Sequence, residues 1–238
     1  MKRILLKISG ETCCPAGERG IVMDAVNLLA RQICEAARTG VQIGLVMGGG
    51  NILRGSQFKA ASQSIQAATA HTMGMLATVM NGLAIQDALE SLGQPVRLLS
   101  AVPMPTVADL YTRRDAIRHL EKGRVVLLSG GTGSPYVTTD TAAAQRAIEL
   151  GADFLFKATK VDGVYSDDPE KNPHAVLYNE LSYDEVLRQN LRVMDQEAIT
   201  KCREKQMPIM VFNFRKEGNL ERALGGDRIG TWISADRQ

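Results

Sequence analysis

Val41-Gln42-Ile43-Gly44-Leu45-Val46-Met47-Gly48-Gly49-Gly50-Asn51 is the stretch on which the fold turns. A short apolar run stopped by glycines reads as a buried strand. Upstream, Asp24 stands where a helix cap is expected. Val26, Leu29, Ile33 and Ala37 follow at helical spacing, and Gly40 ends the run. Downstream, a long helical pattern covers Ala67–Leu92 and stops at Gly93. One strand is thus bracketed by two helices.

The alternation continues in both directions. Arg3–Ile8 is a first strand, closed by Ser9-Gly10. Val96–Leu99 and Arg124–Leu128 are further strands, with a helix over Asp115–Glu121 between them. Thr139 or Asp140 opens a helix that ends near Gly151, and Phe154–Lys157 follows as a strand. Ser182 and Glu185 fit a capping box. A helix over Asp195–Lys205 leads to the strand Ile209–Phe212, and Gly230–Ile233 closes the chain. Strands alternating with helices predict an α/β fold, with a mostly parallel central sheet sandwiched by helices on both faces. No linker or repeat divides the chain, so residues 1–238 are expected to form a single domain.

Composition narrows the function. The chain has 238 residues, 45% of them hydrophobic and 23% charged, as in ordinary globular domains. Twenty-eight basic against 26 acidic residues leave a net charge of +2, too balanced for a coat on nucleic acid. Aromatics at 5% are too sparse for base-stacking platforms. The apolar run after Met1-Lys2-Arg3 is short for a signal peptide, and Met73–Ile85 falls below the roughly 20 residues of a membrane span. A soluble cytoplasmic protein without membrane or nucleic-acid partners is expected. Cys13, Cys14, Cys34 and Cys202 form no C-x-x-C, and His71, His119 and His174 lie far apart. That spacing makes no zinc site and suits reduced thiols.

Four segments carry chemistry, each just after a strand, where such sheets bind ligands. Lys7-Ile8-Ser9-Gly10 puts a cation and free N–H groups at a strand end. Gly48-Gly49-Gly50 lets the backbone approach an anion closely, and Arg54 is placed to add a forked contact to phosphate oxygens. Ser129-Gly130-Gly131-Thr132-Gly133-Ser134-Pro135, with Thr138-Thr139-Asp140, offers hydroxyls and N–H groups at a helix start. Asp140 suits a role as organiser of catalytic groups, as metal ligand or as plain helix cap. Lys157 and Lys160 could neutralise a transferring phosphate, and Tyr165 could face a base. There is no G-x-x-x-x-G-K-[ST], no complete G-x-G-x-x-G after a strand and no G-x-S-x-G. Several anion cradles with lysines, and without those signatures, point to phosphoryl transfer on another scaffold.

Together, KISGE (7–11), GGGNILRG (48–55), MGMLATVMNGLA (73–84), GTGSPYVTTDTAA (131–143), KATKVDGVYSDDP (157–169), VMD (193–195) and PIMVFNF (208–214) resemble the amino-acid kinase superfamily, on its bacterial-type uridylate kinase branch. The resemblance implies transfer of the γ-phosphoryl of ATP to UMP with Mg²⁺, by a homo-oligomer that is usually a hexamer. It implies ATP contacts at Lys7, Ile8, Ser9, Gly10, Gly50, Arg54, Thr159, Tyr165 and Asp168. It implies UMP contacts at Gly49, His71, Thr132, Gly133, Ser134, Pro135, Tyr136, Val137, Thr138 and Thr139. Lys7, Arg54, Asp140 and Asp195 fall at the catalytic positions, and no direct metal ligand is singled out. The N-terminal part is then mainly for the acceptor and subunit contacts, and the C-terminal part mainly for ATP.

Two departures stand out. His71 takes the place of an aspartate that in the family binds UMP. TCCPAGERGIVM (12–23) replaces a short glycine-rich stretch linked to GTP activation, and a further insertion falls between Arg54 and His71. Two alternatives follow: a relative that phosphorylates a carboxylate or carbamate, and a catalytically silent ligand-binding assembly subunit.

Overall fold

The computed structural model describes residues 2–53 and 65–235. Arg54 and most of the expected insertion before His71 lie outside the described residues.

β1 (Arg3–Ile8) leads through a 3₁₀ turn (Gly10–Cys13) to α1 (Met23–Arg38). β2 (Gln42–Met47) and α2 (Ala67–Ser91) follow, then β3 (Val96–Ser100), β4 (Asp109–Leu110) and α3 (Arg113–Glu121). β5 (Val125–Ser129), α4 (Thr139–Leu150) and β6 (Phe154–Thr159) build the centre. β7 (Val164–Tyr165) and β8 (Leu177–Tyr178) make a small separate ribbon. The chain closes with β9 (Glu180–Ser182), α5 (Tyr183–Arg188), α6 (Gln196–Glu204), β10 (Ile209–Asn213), α7 (Asn219–Leu224) and β11 (Thr231–Ser234).

Nine strands form one sheet in the order β4-β3-β5-β2-β1-β6-β10-β11-β9. All neighbours are parallel except β10 and β11. The parallel centre is covered on both faces, as its continuous apolar strands require. Alternation along β1 shows how: Ile4, Leu6 and Ile8 enter a core shared with α1, α2 and α7, while Leu5 enters a second core under α3, α4, α5 and α6. Lys7 is on the Leu5 side, so this lysine faces α4.

Helix starts explain where loops end. Asp24 lies in the first turn of α1, where its charge suits the helix dipole, and Val22 stands at the cap without a side-chain bond. The expected cap at Asp24 is therefore displaced by two residues. Thr138 caps α4 by accepting from Thr141 N, and Gly151 ends it at φ 61°. Ser182 and Glu185 form the expected capping box on α5.

Candidate active site

β1 and β6 are neighbouring parallel strands in which Lys7 pairs with Lys157. Both lysines therefore emerge on one face, and Asp140 in the first turn of α4 stands between them. Lys7 Nζ lies 2.7 Å from Asp140 Oδ1, and Lys157 Nζ lies 2.7 Å from Oδ2. Lys157 Nζ also donates to the Val193 carbonyl. Two largely enclosed cations share one carboxylate, and the Asp195 charge also acts on Lys157. Burial works against the charge on Asp140, but the two ammonium groups outweigh it and hold the carboxyl below the usual aspartate range. Burial, reinforced by Lys7, pushes the Lys157 ammonium below the usual lysine range.

A cavity of about 560 Å³ reaches Thr139, the residue before Asp140. Gly49, Gly50, His71, Gly131, Val137 and Thr139 are among its walls. Gly49 has no room for a side chain: a Cβ would come within 2.8 Å of Ala77 Cβ. Gly10 is equally confined, since a Cβ there would clash with Asn51 Oδ1 and with the Gly48 carbonyl. The His71 ring packs against Tyr136, centroids 4.8 Å apart and tilted by 52°. Tyr136 has φ 68°, a backbone costly for a bulky residue, and so presents its ring from the tip of the β5–α4 loop.

A second cavity, of about 510 Å³, reaches Val193, whose carbonyl Lys157 bonds. Thr159, Tyr165, Asp168, Arg192, Val193 and Val211 are among its walls. The Thr159 hydroxyl donates to the Val161 carbonyl at 2.7 Å and fixes the turn after β6. Asp168 accepts from Glu170 N and pairs with Lys171.

The expected site residues separate into groups. Gly49, His71, Val137 and Thr139 line the first cavity, Gly50 lines it too instead of joining the other expected ATP contacts, and Lys7 and Asp140 make the ion cluster. Thr159, Tyr165 and Asp168 gather around the second. The Ile8 side chain is fully buried in the core, and its carbonyl accepts from Gly48 N, so it offers neither to a ligand. Ser9 accepts from Glu11 N at 3.4 Å at the head of the 3₁₀ turn. The Thr132 hydroxyl accepts from Ser134 N at 3.3 Å within the glycine loop, to which Gly133 and Pro135 also belong. Asp195 caps α6 and accepts from the Thr138 and Thr141 hydroxyls. It thereby fastens the start of α4, and with it Asp140, instead of facing open space. Lys157 is the residue the sequence reading left out of the catalytic set; its register opposite Lys7 is a property of the sheet.

Residues 2–213 match the Amino acid kinase family. This chain belongs to the amino acid kinase family. Among its relatives, the uridylate kinase of Methylococcus capsulatus is 54% identical over 232 residues, 98% of this chain and 96% of that protein. The uridylate kinase of Legionella pneumophila is 52% identical over 236 residues, 99% of this chain and 94% of that protein. The crystal structure of UMP kinase from Bacillus anthracis superposes with a TM-score of 0.95 at 36% identity, covering 99% of this chain and 97% of that one. The likeness runs over nearly the whole chain, so the sheet and its helices are shared with these relatives.

Proposed function

We propose that this chain is a UMP kinase, transferring the γ-phosphoryl of ATP to UMP to give UDP and ADP. The observation that carries the reading is the Lys7–Asp140–Lys157 cluster, whose neighbour Thr139 lines one cavity of nucleotide size and whose partner Val193 lines the other. The full-length likeness to uridylate kinases supplies the acceptor. UMP takes the first cavity, with its phosphate toward Gly49, Gly50 and the α4 N-terminus. ATP takes the second, with its base near Tyr165 and its phosphates toward Lys7 and Gly10.

A UMP phosphate oxygen attacks the γ-phosphorus. The new O–P bond forms as the bond from that phosphorus to the β-phosphate oxygen breaks, and ADP leaves. The acceptor phosphate, with a second pKa near about 6, is largely ionised at neutral pH and needs no general base. Catalysis is positioning and charge neutralisation. Lys7 and Lys157 meet the charge on the transferring group, and Asp140 keeps both ammonium groups aimed.

Such transfer uses a divalent cation, here Mg²⁺, which neutralises phosphate charge. Among the described residues no three His, Cys, Asp or Glu gather in a metal-binding group. Both Asp140 oxygens face lysines. The donor set would therefore suit a cation held mainly by the nucleotide phosphates, with Asp140 the carboxylate that could serve it through water.

Among the described residues no helix is long and apolar enough to cross a membrane. Among the described residues the cysteines are buried and form no disulfide, which suits a reducing cytoplasm. Met73, Leu76, Met80 and Leu83 form an exposed apolar stripe along α2, spaced as in helix pairs. That stripe supports assembly from identical subunits, which we assign as a hexamer. The silent-subunit alternative gains nothing from a site that retains Lys7, Asp140 and Lys157.

The test is ADP release with Mg-ATP and a panel of UMP, CMP, dUMP, AMP, glutamate and carbamate. UMP-dependent turnover that stops on chelation is expected. Silence across the panel, from protein shown to be folded and assembled, overturns the reading. Sedimentation velocity reads the subunit number.

A further inference from the structure

The Gly130-Gly131 turn is gripped from both faces of the sheet. Gly130 and Gly131 have φ 75° and 59°, a left-handed pair that only glycines adopt cheaply. On one side, Gly130 N donates to the Thr78 hydroxyl of α2 at 2.8 Å. On the other, Arg146 Nη2 of α4 donates to the Gly131 carbonyl at 3.2 Å.

Arg146 is itself heavily fixed. It is 5% exposed, although it sits on a helix that could have turned it to water. Its Nη1 pairs with Glu149 at 2.6 Å, and its guanidinium carbon lies 3.8 Å from the centroid of the Tyr111 ring. The Tyr111 hydroxyl donates to the same Glu149 oxygen at 2.6 Å, and Gln145 donates to the other at 2.8 Å. Burial opposes the Glu149 charge, but these donors outweigh it and hold the carboxyl below its usual range. Stacking, ion pairing and a fork of donors together leave the guanidinium one orientation.

We infer that Arg146, held by Tyr111 and Glu149, is a positioning residue for the acceptor nucleotide, acting through the Gly131 carbonyl it fixes. Gly131 lines the first cavity and Arg146 does not, so the effect is indirect. The assignment of that cavity to the acceptor rests on the function proposed above. ATP binds elsewhere, so the two substrates respond differently when the grip is loosened. Lysine at 146 keeps the charge but cannot stack, pair and reach Gly131 together.

The experiment compares wild type with Arg146→Lys and Arg146→Gln, using UMP and ATP kinetics and amide hydrogen exchange across residues 130–136. The KM for UMP is expected to rise about tenfold, the size of one lost hydrogen bond to a charged group, while the KM for ATP stays within about twofold. Exchange across 130–136 is expected to accelerate while exchange in the β1 and β6 core stays slow. Unchanged loop exchange in folded variants overturns the inference, as does a parallel change in both KM values. If wild type turns over no UMP, the functional reading fails, and loop exchange alone still decides whether Arg146 fixes the turn. Should both variants misfold, Tyr111→Phe, which removes only the hydroxyl bond to Glu149, is read in the same way.

Discussion

The side-chain amides of Asn51 and Asn81 hydrogen-bond each other in both directions, at 2.9 and 2.8 Å. Their remaining hydrogens go to the backbone: Asn51 donates to the Gly20 carbonyl and Asn81 to the Gly48 carbonyl, both at 2.8 Å. Asn51 is 2% exposed and Asn81 fully buried. One amide pair thus ties α2 to the triple-glycine turn and to the loop before α1. Removing either partner strands a buried polar group, so Asn81→Ala is expected to cost about 1–3 kcal/mol. Urea unfolding of Asn51→Ala, Asn81→Ala and the double variant checks this. The double variant is expected to lose clearly less than the sum, since the second deletion removes an already orphaned group.

Lys7→Gln tests the charge balance of the site. Without Lys7, Asp140 and Lys157 remain as a matched pair, so the fold is expected to survive. One of the two cations on the Asp140 carboxylate disappears. The kcat is expected to fall on the order of a hundredfold, the usual scale for losing one electrostatic contact to developing charge. Steady-state kinetics beside a thermal melt measures it. A variant that keeps wild-type kcat would remove Lys7 from the reacting centre.

Much of this arrangement is visible in the chain before it folds. β1, β2, β5, β6 and β10 are apolar runs closed by glycine, polar or charged residues, and each is recovered to within two or three residues at either end. The two-residue strands β4, β7 and β8 carry too little pattern to register. The glycine turns announce an anion site because few other roles need three glycines after a strand. Lys157 and Lys160 look alike in sequence, yet Lys157 pairs with Asp140 opposite Lys7 while Lys160 pairs with Glu170 at the surface. Only strand register separates them. Arg146 reads as an ordinary helix-surface cation, and its burial depends on Tyr111, 35 residues away in the chain.

The thiols are expected to be inert in the native protein. All four are buried. Burial pushes the Cys13 and Cys202 thiols up to about 12. Cys14 Sγ donates to the Glu18 carbonyl at 3.3 Å. Because the thiolate is the reactive form, Cys13 and Cys202 at pH 8 should react on the order of a thousandfold slower than in the unfolded chain. Labelling with dithiobis-nitrobenzoate, with and without urea, followed by peptide mapping, checks it. Rapid labelling of Cys13 in folded protein would contradict this expectation.

Acid should undo the α4–β1–β6 junction through Asp140. Its carboxyl is held below the ordinary aspartate value of 3.8 by Lys7 and Lys157. The unfolded chain therefore binds a proton at a higher pH than the folded one does. Stability from this group is fully present above the ordinary value. It is lost as pH falls through the window between that value and the lower folded one, because folding then requires either an unprotonated Asp140 or two unpaired buried lysines. Urea midpoints measured from pH 6 down to pH 3 should fall in wild type. Asp140→Asn should start from a lower midpoint at pH 6 and fall less steeply over the same range, since it has no carboxylate to lose there. Glu149 and Asp153, also held below their ordinary values, leave a residual slope in both proteins. Identical slopes in the two proteins would show that Asp140 does not carry the acid response.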